Sequence, residues 1–289
     1  MTDATTVEER LRARYDWLTR AERQVAAALL ESYPALGLSS ITHLAATAKV
    51  STPTVLRLVH KLDYEGFGAF QDALRAELQA RVSGPIDKRA VRSVGAPGGH
   101  ILNRFAEAVV ANLQGTLTQV ESETFDATVK TISDPQRRVF VTGGRITRAL
   151  ADYLFTHLQV LRPGVTQLGT APGVWPHYLL DIAEGDVLVL FDIRRYETVL
   201  QRLAELAHAR GAQIVLFTDQ WGSPIAPLAQ YRFACRVEAP SAWDSTLALL
   251  FVAEALIGAV EERGWPQARE RMQTLESIFD QTRLFRKFT

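Results

Sequence analysis

The stretch at residues 39–62, SSITHLAATAKVSTPTVLRLVHKL, determines how the first part of the chain folds. It predicts a short helix from about Ser40 to Thr47, a tight turn at residues 48–50, and a second helix that ends near residue 62. In the second helix the apolar positions 55, 58, 59 and 62 follow the i, i+3, i+4, i+7 spacing of one buried face. Ser51 or Thr52 can cap this helix, and Pro53 suits its first turn.

The opposite face of the second helix is polar and basic. Short hydroxyl side chains reach base edges or phosphates, and an arginine can donate two hydrogen bonds to guanine in the major groove. Residues 41–62 contain three basic side chains and no acidic one. The alternative is an ordinary helical hairpin with a solvated outer face. The residues expected to contact DNA are Ser51, Thr52, Thr54, Arg57, His60 and Lys61.

Composition limits the class of protein. A chain of 289 residues holds about two domains. Lys plus Arg equals Asp plus Glu, 32 each, so DNA affinity must come from local placement of charge and from dimerisation. Cys235 is the only cysteine, which excludes an internal disulfide and a cysteine-based zinc site. With no apolar run of about 18 residues and no signal peptide, we expect a cytoplasmic protein.

The order of patterns along the chain predicts the domain organisation. Residues 7–33 read as helical, with Thr19 and Glu22 at the spacing of a capping box, and a helix over about residues 68–82 follows the 39–62 stretch. The segment SGPIDKRAVRSVGAPGG at 83–99 is dense in glycine and proline and reads as a linker. We expect an all-helical domain at 1–82, a linker at 83–100 and a second domain at 101–289.

The second domain alternates apolar runs with amphipathic helices from residue 138 onward. The runs RVFVTGG, DVLVLF and QIVLFT are continuous apolar segments, typical of strands covered on both faces. This alternation predicts a doubly wound parallel sheet, so the fold class is α + α/β. Apolar stripes at 101–120 and 243–260 exceed what one sheet face needs, and they are either core or an interface between copies.

Loops after the strands are the expected ligand site, because ligands bind beyond the carboxyl ends of parallel strands. The loops at 142–148 and 192–198 each lead into a helix and carry Arg145, Arg148, Arg194 and Arg195. Helix N-termini and arginines together favour a phosphorylated or carboxylated small ligand. The alternative is that these arginines are solvated or paired with nearby carboxylates. Dinucleotide and P-loop motifs are absent from the sequence, so we expect no nucleotide cofactor.

At this point two sets of motifs resemble a known family. The segment 39–74 fits the pattern S-I-x-x-L-A…V-S-x-x-T-V-x-R followed by G-F-x-x-F, which resembles the helix-turn-helix module of RpiR/MurR regulators. The blocks VFVTGGRITRALADYL, EGDVLVLFDIRRYETV, ARGAQIVLFTD and SPIAPLA resemble a sugar isomerase (SIS) domain. The resemblance covers about residues 8–265.

The resemblance implies a transcriptional regulator rather than an enzyme. Members of the family bind operator DNA as dimers or tetramers, and a phosphosugar or related metabolite in the SIS domain alters DNA affinity. For this chain it implies operator DNA, a small anionic sugar-derived effector and a second copy of the chain as partners. The implied effector residues are Gly143, Gly144, Arg145, Thr147, Arg148, Asp192, Arg194, Arg195, Glu197 and Thr198.

The sequence departs from the family in its effector loop. SIS domains usually carry S-x-S-G-x-T after the central strand, and Asp192, Arg194, Arg195 and Glu197 replace its Ser, Ser, Gly and Thr. Thr147 keeps a hydroxyl in the first loop. Arginine forks can hold carboxylates through two bonds, so a sugar acid rivals a sugar phosphate. A purely structural second domain is a further alternative.

Two other functions remain open from the sequence. A sugar-phosphate isomerase with an accessory helical domain needs a general base, for which Glu197, Asp192 and His177 are the nearby groups. An interaction module that does not bind DNA would fit the ten basic and ten acidic residues of the first 85 positions.

Overall fold

The computed structural model describes residues 5–88 and 99–285. Its contacts divide the chain into two compact units, Met1–Ser83 and Gly84–Thr289. Most of the segment predicted as a linker, residues 89–98, lies outside the described residues. None of the helices in the described ranges is long and apolar enough to cross a membrane.

The first unit is entirely helical. Its core is formed by fully buried apolar side chains such as Leu44, Leu58 and Phe70. The predicted capping box at Thr19 is confirmed, because its hydroxyl accepts from the Glu22 N–H while the Glu22 carboxylate accepts from the Thr19 N–H. The helices are α1 (Val7–Arg14), α2 (Arg20–Glu31), α3 (Ile41–Thr47), α4 (Thr52–Lys61) and α5 (Phe67–Val82).

Helices α3 and α4 form the predicted pair joined by a tight turn. Lys49 in that turn has a positive φ of 55°, and the Val50 N–H closes the turn on the Ala45 carbonyl. Ser51 stands at the N-cap of α4, but its hydroxyl makes no capping bond to the backbone. It pairs instead with the Thr54 hydroxyl at 3.0 Å, so the predicted cap chemistry is wrong at this position.

The second unit is a five-stranded parallel sheet with helices. The strand order is β2-β1-β3-β4-β5, which is the doubly wound arrangement that the sequence predicted. Two helices cover residues 101–133, where the sequence pattern fits either one long helix or two. The elements are α6 (Ile101–Leu117), α7 (Ser122–Ser133), β1 (Val139–Gly143), α8 (Arg148–Leu161), β2 (Val165–Gln167), α9 (Trp175–Asp181), β3 (Val187–Asp192), α10 (Thr198–His208), β4 (Gln213–Asp219), β5 (Ala229–Cys235), α11 (Leu247–Arg263) and α12 (Trp265–Thr282).

The three central strands carry the core of the second unit. Every residue of β1 and β3 is buried, which explains their continuous apolar sequences. Phe191, Phe217 and Phe233 on neighbouring strands pack ring to ring, with centroids 4.4 and 5.0 Å apart. Since the strands are parallel, β1, β3 and β4 all end at one edge of the sheet, at residues 143, 192 and 219. That edge is where the candidate ligand site lies.

Candidate functional site

The exposed face of α4 carries the candidate DNA-contacting residues. Arg57 is exposed, and its Nη2 donates to the Thr54 hydroxyl at 2.9 Å. Thr54 itself is only 5% exposed, so it does not lie on the outer surface as predicted. Its hydroxyl joins Ser51 and Arg57, and it therefore acts as a support that orients the guanidinium.

Lys61, at the last position of α4, is held in an ion pair. Its Nζ lies 2.7 Å from the Glu22 carboxylate, which is almost fully buried. Burial alone would raise the pKa of Glu22, but the hydrogen bonds from Lys61 and Thr19 outweigh it and leave that pKa below its usual value. The ammonium is partly committed inside the chain before any DNA is bound.

The remaining residues predicted to contact DNA occupy the surface. Ser51 and His60 are exposed, and Thr52 is half-buried. Two arginines that the sequence analysis missed serve the other end of α4, because Arg10 and Arg14 donate to the carbonyls of residues 62 and 61. Cations at a helix C-terminus are favoured by the helix dipole. Nothing in their spacing points to that role, since they lie on a helix about 50 positions earlier in the sequence.

The loop between β1 and α8, residues 144–147, directs several of its hydrogen-bond donors to acceptors inside the protein. A Cβ on Gly143 would lie 2.8 Å from the Thr147 carbonyl oxygen, so only glycine fits there. The Gly144 N–H and the Thr147 hydroxyl both donate to the Phe191 carbonyl, at 3.1 and 2.6 Å. The sequence predicts that the Thr147 hydroxyl binds the ligand. In the structure Thr147 is buried, and its hydroxyl donates to the main chain.

The next donor in this loop, the Arg145 N–H, is bound by a carboxylate of the protein. Glu197 accepts this bond through Oε1 at 2.6 Å. The same oxygen would lie 3.0 Å from a Cβ placed on Gly144, so the carboxylate rests directly against the loop. Glu197 stands at the N-cap of α10, and Thr198, the first residue of that helix, is exposed.

The sequence predicts that Arg194 binds the ligand, but the structure engages its side chain within the protein. Its guanidinium bonds both oxygens of Asp244, at 2.9 and 2.7 Å, and stacks 3.7 Å above the centre of the Trp221 ring. Lys88 reaches the same carboxylate at 2.5 Å. The sequence analysis missed Asp244 because it lies 50 positions away, outside any of the candidate loops.

The other three loop arginines differ in exposure. Arg148 is half-buried and pairs with Asp152 at 2.8 Å, one helical turn further on. Arg145 and Arg195 are exposed, and neither forms an ion pair with another residue of the described ranges. Two of the four predicted cations are therefore tied to carboxylates of the protein, and two face solvent.

Two buried carboxyl groups end the central strands. Asp192 accepts from the Ser223 hydroxyl and from the Glu197 N–H. Burial raises the pKa of Asp192 to about 7, and the charges of Asp219 and Glu197 push it in the same direction. Burial also raises the pKa of Asp219, although the Arg194 N–H and the Tyr196 hydroxyl bond its oxygens. Within the residues that the structure describes, no three His, Cys, Asp or Glu side chains are grouped as metal ligands.

Comparison with known families identifies both units. Residues 5–81 match the helix-turn-helix domain of the rpiR family, and residues 132–259 match the SIS domain. A helix-turn-helix unit followed by a SIS unit defines a class of two-domain regulators. The chain belongs to the RpiR family, which confirms the resemblance seen in its sequence.

Individual relatives agree with this assignment. The chain is 24% identical to the HTH-type transcriptional regulator HexR of Escherichia coli K12 over 281 residues, 95% of this chain and 94% of HexR. The sugar isomerase domain of an RpiR transcription factor from Sphaerobacter thermophilus superimposes with a TM-score of 0.56 at 22% identity, over 61% of this chain and 97% of that one. The Vibrio vulnificus NanR protein complexed with ManNAc-6P gives 0.55 at 20% identity, over 97% and 99%. These likenesses confirm the predicted fold class.

Proposed function

We propose that the chain is a DNA-binding transcriptional regulator whose operator affinity changes when a sugar-derived metabolite binds the SIS unit. The observation that carries the proposal is the exposed, supported Arg57 on the second helix of an rpiR-family helix-turn-helix unit. The name of the relative HexR, a transcriptional regulator that matches over nearly its whole length, supports the same function.

In the proposed complex α4 enters the major groove. Arg57 reads a base edge, since its guanidinium is exposed and its χ angles are restrained by Thr54. Ser51 and Thr52 lie at the N-terminus of α4, where hydroxyls and backbone N–H groups suit DNA phosphates. Lys61 and His60 lie at the other end of the helix, and they contact the backbone of the adjacent strand.

The proposal includes a homo-oligomer, because a neutral chain gains operator affinity by reading two half-sites. Helix α6 supports a pairing surface between two copies. Its buried residues are polar, Asn112 and Thr116, whereas Leu102, Val110 and Leu117 are exposed. An apolar face turned outward is typical of an interface, and pairing with the same face of a second copy would remove it from water.

The proposed effector is an anionic sugar derivative, either a sugar phosphate or a sugar acid. Arg145 and Arg195 are the solvent-facing cations next to the strand ends. In the proposed site they bind the acidic group of the effector in place of the Arg194 guanidinium. The similarity to NanR, which was solved with a sugar phosphate, supports an anionic sugar derivative as the ligand. It does not decide between a sugar phosphate and a sugar acid.

The test joins DNA binding to ligand binding on the full-length protein. Fluorescence anisotropy with the DNA upstream of its own gene, at fixed salt, measures operator affinity. Thermal-shift screening of sugar phosphates against sugar acids finds the effector, because a ligand that binds only the folded state raises the unfolding temperature. The proposal predicts one class of compound that both stabilises the protein and changes operator affinity. Absence of sequence-selective DNA binding would favour a non-DNA interaction module instead.

An isomerase is the second candidate, and Asp192 is the observation in its favour. A carboxyl whose pKa is about 7 is suited to carry a proton at neutral pH. Asp192 is nevertheless buried and bonded to Ser223 and Glu197, which leaves it poorly placed to reach a substrate carbon. Incubation of the protein with the compounds found in the screen, followed by assay for aldose–ketose conversion, decides between the two functions.

A further inference from the structure

The site proposed for the effector already contains an anion that belongs to the chain. We propose that Glu197 is a built-in competitor: its carboxylate occupies the anion position of the β1–α8 loop and the acidic group of the effector must displace it. This inference rests on the proposed function, since it concerns the same ligand site.

Glu197 and the main chain of Arg145 are in direct contact. The Arg145 N–H points into the strand-end site and donates to Glu197 Oε1 at 2.6 Å, a short charge-assisted bond. Two neighbouring donors of the loop, the Gly144 N–H and the Thr147 hydroxyl, are both bound to the Phe191 carbonyl. Of these three donors, the Arg145 N–H is the one with an anionic acceptor, and that acceptor is Glu197.

Glycine at position 144 makes this contact possible. A Cβ at that position would lie 3.0 Å from Glu197 Oε1 and 3.4 Å from its Cδ. The carboxylate thus rests against the Gly144–Arg145 peptide, where an external phosphate or carboxylate would also lie if it used the same N–H. Since both anions need the same space, they exclude each other.

The position of Glu197 allows it to leave. Glu197 is half-buried rather than enclosed, so its carboxylate can rotate towards solvent and stay hydrated. The Glu197 carbonyl accepts from residues 200 and 201, and its N–H points to Asp192, so its main chain stays fixed as the N-cap of α10. Displacement therefore moves a side chain at the start of α10 and leaves the helix in place.

Charge explains why displacement, rather than joint binding, is required. Asp192 and Asp219 already place two buried carboxyl groups at the adjacent strand ends. An effector anion beside Glu197 would place two negative charges against the same loop. When Glu197 swings out, Arg145 and Arg195 remain as exposed cations that attract the incoming acid.

The ligand chemistry that competes with a carboxylate is a phosphate monoester or a carboxylate, and probes separate the two. We would titrate wild type, Glu197→Thr and Glu197→Gln in full-length protein with inorganic phosphate, glucose 6-phosphate and gluconate. Calorimetry at constant ionic strength gives each affinity. The matched control is Glu205→Thr and Glu205→Gln, because Glu205 is exposed on the same helix and its loss changes net charge equally.

The expected result is that Glu197→Thr binds at least one of the three probes tenfold or more tightly than wild type. Glu197→Gln gives a smaller gain, since the amide oxygen still accepts from the Arg145 N–H but carries no charge. The Glu205 variants match wild type. A probe preference for phosphate over gluconate identifies a phosphate monoester as the displacing group, and the reverse preference identifies a carboxylate.

Equal affinities for wild type and both Glu197 variants would overturn the proposal, and so would a loss of affinity in both, which would make Glu197 a ligand-binding group. Glu197→Gln keeps the test valid if the threonine variant does not fold. Operator binding is measured in parallel on the same samples. If neither the wild type nor any variant binds the operator, the proposed function is refuted. A gain of phosphate or gluconate affinity in the Glu197 variants supports the role of Glu197 as a competitor, whatever the result with DNA.

Discussion

Arg194 and Asp244 form a two-bonded ion pair in which both carboxylate oxygens accept from one guanidinium, at 2.9 and 2.7 Å. Both side chains are nearly buried, with 4% and 8% of their surface exposed. Lys88 and the ring of Trp221 complete the surroundings of the pair. An arginine that the sequence assigns to ligand binding is thus committed to an ion pair within the SIS unit.

Asp244→Ala is expected to destabilise the protein by about 3–5 kcal/mol, because it leaves a buried guanidinium without its carboxylate. Arg194→Ala is expected to destabilise the protein by less, because Lys88 still pairs with Asp244. Urea unfolding of the full chain, followed by tryptophan fluorescence, measures the loss, and Trp221 reports it because the guanidinium stacks on that ring. Arg195→Ala is the control: its side chain is exposed, and we expect a change within about 0.5 kcal/mol. Equal stability of the Arg194 and Arg195 variants would contradict this role.

Arg57→Ala is expected to weaken operator binding by about 1–3 kcal/mol, which is the usual cost of losing a base-reading arginine. Anisotropy titrations at one salt concentration measure the effect on operator and on unrelated DNA. The operator should lose more affinity than unrelated DNA, since Arg57 contributes to sequence reading. Arg75→Ala, which removes an exposed arginine of α5, serves as the control. Unchanged operator affinity in the Arg57 variant would remove that residue from the reading set.

Glu22→Gln is expected to strengthen DNA binding, because it releases Lys61 from its internal ion pair. Glutamine still completes the capping box with Thr19, so α2 keeps its N-terminus. Since the proposed complex has Lys61 on the DNA backbone, an ammonium without Glu22 as a competitor neutralises its phosphate more fully, and the slope of log affinity against log salt steepens by up to about 0.9. Anisotropy at four salt concentrations gives the slope. Glu31→Gln makes the same charge change at an exposed position of α2, so a gain in both variants would indicate net charge rather than Lys61.

Local patterns predicted the fold well because the information is contained in short windows. The Thr19–Glu22 capping box and the apolar stripe of α4 each span a few residues, and both are as expected. The apolar runs of β3 and β4 likewise need only burial on both faces, and the parallel order follows from the helices between them.

The candidate site was harder to predict because its contacts are long-range. The Arg194 guanidinium bonds Asp244, 50 positions away, and the Arg145 main-chain N–H bonds Glu197, 52 positions away. Which carboxylate meets which donor depends on how loops pack at the strand ends, and spacing in the sequence does not encode that. Thr54 illustrates a smaller version of the problem, since it lies at the boundary between the buried and exposed faces of α4 and the structure turns it inward.

Asp192 is expected to make stability fall as pH rises through neutrality. Burial raises its folded pKa to about 7, against about 3.9 in an unfolded chain, so the folded state binds a proton more tightly between these values. The stabilisation is fully present below pH 4 and is lost as pH rises through 7. Asn mimics the protonated carboxyl and does not titrate, so the stabilisation that Asp192→Asn gives should grow by about 2–3 kcal/mol between pH 5 and pH 8.5.

Urea unfolding of wild type and Asp192→Asn from pH 5 to 8.5 measures this dependence. Glu77 in the first unit must be separated from it, because burial raises the pKa of that carboxyl to about 7 as well. Glu77→Gln therefore serves as a comparison, and it should remove the part of the pH dependence of stability that Glu77 contributes. Trp17 is the one tryptophan of the first unit, and the four others lie in the second, so Asp192→Asn should act mainly on the signal of the latter. A pH dependence that the Asp192 variant leaves intact would show that this carboxyl is already ionised in the folded protein at neutral pH.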